Sequence, residues 1–281
     1  MFFKMLSYDI YRGIWRKKYL FLPLFVLTII FCQSFYYDMQ SYQMMGICME
    51  SGSWMDYIAL LFQGMKEYIP SPDNPFVFPV MWILIFLYVA YISLGYLHDD
   101  LTASGQQVLI RSGGRKLWWI SKCLWNVAIT MLSFMVMYLS VTVYCLIRGI
   151  QLSFSCTTSV LEYQLEMPIL SSISVWQGIC VLILMPLGVA LALNLFQMFL
   201  GLLIMPWYSC GMIAAILLIS AYFKSPLLIG NYSMFYRSAV LIGEESGMQL
   251  IIGALLTLVF VAVAVMGGLF LFSKHDILNQ E

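Results

Sequence analysis

From Pro168 to Phe223 the chain reads PILSSISVWQGICVLILMPLGVALALNLFQMFLGLLIMPWYSCGMIAAILLISAYF, 56 residues without a charged side chain. As one α-helix this stretch would be about 84 Å long, nearly three times the hydrocarbon thickness of a bilayer, so it must fold back on itself. Asn194, Gln197, Gly201 and Pro206 gather polar and helix-weakening residues near its middle. That places two spans at about 175–199 and 202–222, joined by a tight turn.

Working outward, further uncharged runs lie at about 19–37, 76–97, 123–147 and 248–272, each bounded by charged or Pro- and Asx-rich segments. The expected fold is an all-α integral membrane protein of six transmembrane helices, forming one domain over residues 1–281. A count of five, with one segment half-buried, is the alternative. Composition agrees. Of 281 residues 62% are hydrophobic and 10% charged, and the mean hydropathy is +0.88. A soluble domain is roughly a quarter charged, so too little polar surface is present to face water all round. Continuous apolar runs exclude an outer-membrane barrel, whose strands alternate.

Charge placement gives an orientation. With six spans and a cytoplasmic N-terminus, the inner side carries Lys4, Arg12, Arg16, Lys17, Lys18, Arg111, Arg115, Lys116, Lys122 and Lys274, against Lys66, Arg148, Lys224 and Arg237 outside. This asymmetry follows the positive-inside rule, so both termini are expected in the cytoplasm. The first span lacks a small-residue cleavage site and reads as a retained signal-anchor. Residues 1–18 put Phe3, Leu6, Ile10 and Ile14 near one face, as in a helix lying on the inner leaflet; the alternative is a plain extension of the first span. No lysine- or arginine-rich tract suggests nucleic acid.

Ion-coupled carriers usually hold Asp, Glu, His or Lys at membrane depth, and none falls within these six spans. The most polar intramembrane groups are amides, and Gln177, Asn194 and Gln197 share the fourth span. They are candidate pathway residues, with helix–helix hydrogen bonding the plainer role. Two histidines, His98 and His275, are too few for a three-ligand zinc site or paired haem ligands inside the membrane. Glu244-Glu245 has no neighbouring histidines. No catalytic residue, metal site or cofactor is expected in this chain. The seven cysteines include no Cys-x-x-Cys pair, although Cys48 and Cys156 both fall in outer loops and can pair in an oxidising compartment. No Gly-x-x-x-x-Gly-Lys-Ser/Thr loop occurs, so any ATP hydrolysis belongs to a separate polypeptide.

The main polar surface is the segment from His98 to Lys122, between the second and third spans. Asp99-Asp100 opens it, Gln106-Gln107 lies within it, Ser-Gly-Gly at 112–114 breaks it, and Arg115-Lys116 starts the next helix. Trp118 and Trp119 are expected at interface depth, with Lys122 snorkelling back to it. A loop that only sets topology and binds anionic lipid explains the arginines. It explains the acidic pair and the glutamines less well, and this mixed surface suits docking a protein. On the outer side, Trp54, Ile58, Leu61, Phe62 and Met65 fall at helical spacing, as in an amphipathic helix on the outer leaflet or one that caps the bundle.

The order of these parts resembles the permease subunits of bacterial type-2 ATP-binding cassette (ABC) exporters: an N-terminal interfacial helix, six spans, a charged inner loop after the second, and a long outer segment before the sixth. The stretches Leu109–Lys122, Asp56–Gly64 and Pro70–Pro79 carry the likeness in sequence. The resemblance implies a coupling element at about Asp99 to Arg115, including Asp99, Asp100, Gln106, Arg111, Arg115 and Lys116, seated on a separate ATPase subunit that holds ATP and magnesium. It further implies a second permease, identical or different, and a re-entrant helical hairpin over Lys224–Gly247, where Pro226, Gly230, Gly243 and Gly247 interrupt the chain. The expected activity is export of an amphipathic substrate, such as a peptide, lipid or drug-like molecule, across a bacterial cytoplasmic membrane. The outer loops at 38–75 and 149–172 are longer than this pattern needs. A membrane scaffold or sensor whose basic loop binds a protein or lipid is the alternative from another class.

Overall fold

The computed structural model describes residues 2–46, 51–71, 75–102, 115–165, 173–243 and 246–274. Among them there is no β-strand. The helices are α1 (Phe2–Lys17), α2 (Phe21–Met44), α3 (Trp54–Leu61), α4 (Val80–Ser93), α5 (Tyr96–Thr102), α6 (Arg115–Arg148), α7 (Thr158–Leu165), α8 (Val175–Ile179), α9 (Met185–Leu200), α10 (Pro206–Tyr222), α11 (Ala239–Ile242) and α12 (Leu250–Lys274).

Five helical runs are long and apolar enough to cross a membrane: Phe2–Met44, Val80–Asp100, Lys116–Arg148, Val175–Leu200 and Leu250–Leu271. They mark a multi-pass membrane protein. Of the six expected spans, the fifth is present as the shorter apolar helix α10, 17 residues and about 25 Å long, at the low end of what crosses a bilayer. Pro206 starts it at a first-turn position, where the missing N–H is harmless. Within the fourth run, a π-turn at Cys180–Leu184 separates α8 from α9. Pro186 follows one residue later, and the widened turn accommodates the backbone donor that proline lacks.

The N-terminal segment is not a separate helix turned onto the leaflet. Residues 2–44 stay helical throughout, tightening to a 3-10 turn at Lys18–Leu20, and run beside α6. The hydrogen bonds from Ser121 and Lys122 to Asp9, and from Tyr144 and Arg148 to Gln33, join residues 111–115 positions apart. A near-constant offset along two helices means that they lie parallel and in register. Gly13 permits the approach, since a Cβ there would overlap the Trp125 indole.

At the opposite end of the bundle, the apolar stripe at 54–65 belongs to a buried element. All eight residues of α3 are buried, so it plugs the helix bundle and does not lie on a leaflet. Ser53 and Asp56 form a capping box at its start, and Phe62 continues into the core by stacking on Phe134 at 5.9 Å. The expected helical hairpin at 224–247 is also corrected. Its described residues form two 3-10 turns, Ile229–Ser233 and Phe235–Arg237, followed by the single-turn α11. The backbone N–H groups of Phe235 and Tyr236 donate to the carbonyls of Phe62 and Gln63, so this segment is stitched to α3's exit. Most of its other donors close local turns, as Asn231 to Leu228, Met234 to Asn231 and Arg237 to Met234 do, so its backbone is satisfied turn by turn without a long helix.

Candidate functional site

The charged loop after α4 springs from a buried ionic cluster. At the end of α4, Gly95 takes φ +78°, a left-handed conformation that turns the chain sharply into α5. Two turns of α5 then present Tyr96 and Asp100 toward α6 and α1. The Lys122 ammonium lies 2.5 Å from the Asp9 carboxylate and 2.7 Å from that of Asp100, and the three side chains are 2%, 2% and 12% exposed. Ser121 donates to the second Asp9 oxygen at 2.6 Å, and the Tyr96 hydroxyl donates to Asp9 Oδ1 at 3.0 Å. Three helices therefore meet through one lysine shared by two carboxylates.

Aromatic side chains enclose the cluster. Tyr96 stacks on Trp125 at 3.8 Å, and Lys122 lies 4.9 Å from the Tyr96 ring centre and 5.1 Å from that of Trp118. Rings that face a cation add attraction where water is excluded. The expectation that Lys122 snorkels to the interface is thus corrected: it points inward because two acids neutralise it there. Trp118 and Trp119 are likewise fully buried and not placed at a lipid interface. Trp119 donates to the Val265 carbonyl at 3.0 Å, and it lies where a Cβ on Gly268 would be. The packing of α12 on α6 accounts for its position.

A second lysine secures the corner. Lys17 donates to the carbonyls of Ile92 and Leu94 at 2.6 and 2.8 Å. These are acceptors at the C-terminal end of α4, which have no intrahelical partner and carry the negative end of the helix dipole.

Of the coupling residues expected from sequence, Asp99 and Asp100 lie on α5; Asp100 belongs to this cluster, and Asp99 lies near Gly95 and Lys17. Lys116 is exposed in the first turn of α6, which Arg115 begins. Gln106 and Arg111 lie outside the described residues, as do Cys48, Glu244 and Glu245. Asp100 on α5 and Lys122 on α6 thus tie together the two helices that flank this loop.

The three amides of the fourth span are not brought together. Gln177 is the third residue of α8 and closes a capping box with Ser174, about 25 Å of helix away from Asn194. Asn194 is buried, donates to Thr130 Oγ1 at 2.8 Å, and accepts from Asn126 through its backbone carbonyl at 3.3 Å. Gln197, 3% exposed, donates to the Ala90 carbonyl at 3.3 Å, and its Oε1 is buried without a donor. These contacts are helix–helix bonds between α9, α6 and α4.

Sequence reasoning missed Asp9, Tyr96 and Ser121, and gave Lys122 a different role. One signal was available. Asp9 is the only acidic residue in the first 37, set among lysines and arginines where the positive-inside rule gives an acid no purpose. No protein-family model, curated protein or solved structure matches this chain.

Proposed function

We propose that this chain is the membrane-spanning permease half of an ATP-driven exporter, and that the segment from Asp99 to Arg115 docks a separate ATPase subunit. The observation that carries this reading is the anchoring of that segment. Asp100 at its start is tied through Lys122 to Asp9, so a push on the loop acts at once on α1, α5 and α6. A loop that served only to set topology would need no buried ion pairs at its root, since taking charges out of water is costly. The substrate class is an amphipathic molecule, because apolar walls discriminate weakly among such ligands. A second permease, the same or different, completes the transporter.

The test is to purify the tagged protein from its native host in mild detergent, identify what accompanies it, and assay ATP hydrolysis. A stoichiometric ATP-binding subunit is expected, and its recovery should fall several-fold in Asp99→Arg and Arg111→Glu while the permease itself is recovered unchanged. If no ATPase accompanies the wild type even after cross-linking, the protein is better read as a membrane scaffold or sensor. Equal recovery with both variants would remove the docking role from this loop.

A further inference from the structure

Between the α1–α2 junction, the α4–α5 corner and the start of α10 lies an open cleft of ≈ 460 Å³. Its polar side is formed by Lys17, His98 and Asp99, and its apolar side includes Tyr91, Met205 and Trp207. A narrower recess of ≈ 20 Å³, room for one small polar group, continues from it past Gly95 and Pro206 to Gln197 and Ser209.

Three features of this site call for a ligand of opposite charges on one small head. An ammonium has three donors; two of those on Lys17 are held by the Ile92 and Leu94 carbonyls, and one remains for an anionic oxygen. Asp99 supplies an acceptor on the same side, its Oδ2 3.8 Å from where a Cβ on Gly95 would stand. In the recess, Gln197 Oε1 is a buried acceptor without a donor, a state that costs free energy until one arrives. The opposite wall is aromatic and exposed, with Tyr91 and Trp207 at 43% and 71% and ring centres 6.4 Å apart. Such rings sit where headgroups give way to acyl chains.

We propose that this cleft binds a zwitterionic phospholipid. Its phosphate lies at Lys17, its ammonium on the Asp99 and Gln197 side, and its glycerol and first chain segments against Tyr91 and Trp207. Among the described residues of the lining, Lys17 and Asp99 place one cation beside one anion, which matches a zwitterionic head. This site shares Asp99 with the proposed docking segment, but its other contacts lie outside that segment, and it stands whether or not the segment binds an ATPase.

The test is native mass spectrometry of the full-length protein after delipidation, followed by titration with phosphatidylethanolamine or phosphatidylglycerol. One phosphatidylethanolamine per chain should be retained, with phosphatidylglycerol roughly tenfold weaker because it has no ammonium for Asp99. Asp99→Asn and Trp207→Ala should each weaken phosphatidylethanolamine retention by roughly tenfold; both are chosen over Lys17 variants, which would also uncap α4. Equal retention of the two lipids, or wild-type retention by both variants, would overturn the proposal. A wild-type protein that retains phosphatidylethanolamine selectively but brings down no ATPase would count against the exporter reading alone.

Discussion

The two ends of the bundle bury charge in opposite ways. At one end, the Arg237 guanidinium donates to the backbone carbonyls of Met65, Lys66, Ser220, Ala221 and Phe223, and to Asn231 Oδ1. Burial pulls its pKa down to about 10, against the partial support of Glu67. At the other end, Lys122 is satisfied by side chains of two other helices. A charge held by main-chain carbonyls fixes loop ends in place, because those acceptors move only if the backbone refolds. A charge shared between carboxylates on separate helices holds them together, yet allows one partner to be exchanged for the other. The first arrangement builds a lid on the bundle; the second suits a joint.

The sharpest way to break that contrast is at Arg237. Arg237→Met would strand the buried carbonyls of Ser220 and Ala221 and the buried Asn231 Oδ1, each costing about 1–3 kcal/mol, so the variant should fail to yield folded protein. Arg237→Lys should rescue little, because three donors on a point charge cannot reproduce the fork. Yield and monodispersity in detergent measure both. A well-folded Arg237→Met would mean that the turns at 229–237 are not held by this residue.

Lys122 should behave differently. Lys122→Met leaves Asp9 and Asp100 buried without their cation and should cost about 3–5 kcal/mol, read as a lowered thermal midpoint. Combining it with Asp9→Asn and Asp100→Asn removes all three charges and should restore most of that stability, since a neutral, packed cluster often matches a buried ionic one. The neutral triple variant should still lose ATPase recovery if the cluster links the loop to the bundle. Failure of the triple variant to regain stability would show a lock at this end too, and would erase the difference between the two ends.

How much of this was legible depended on how far apart in sequence the partners lie. The apolar runs were plain because each span is encoded by its own residues, and the fold-back after Phe199 followed from length alone. The shortening of α10 was not, because Leu202 and Leu203 are as apolar as the helix but form the turn that precedes it. Asp9 was passed over in the sequence, because the partner that explains it, Lys122, lies 113 residues away. The 54–65 stripe gave the helix but not its depth, since helical periodicity cannot distinguish a leaflet from a protein interior. Asp56 sat off that stripe and is nevertheless wholly buried.

Asp56 supplies the smallest effect, and one that distinguishes its end of the molecule by pH. Burial raises its pKa above the ordinary value of 3.8, partly offset by hydrogen bonds from Ser53 and Thr157. The folded protein therefore holds this proton more tightly than the unfolded chain does. Stability from this group is fully present below the unfolded pKa and declines as pH rises through the folded one. Three donors nonetheless converge on the carboxylate: the Ser53 N–H at 2.7 Å, its hydroxyl at 3.0 Å, and the Thr157 N–H at 3.0 Å. Asp56→Asn should accordingly keep the fold and flatten the acidic part of a plot of thermal midpoint against pH, with the cost of a weakened cap visible as a uniform offset. An unchanged slope would mean that the donors fully compensate burial, making Asp56 a second charge held by the backbone in the manner of Arg237.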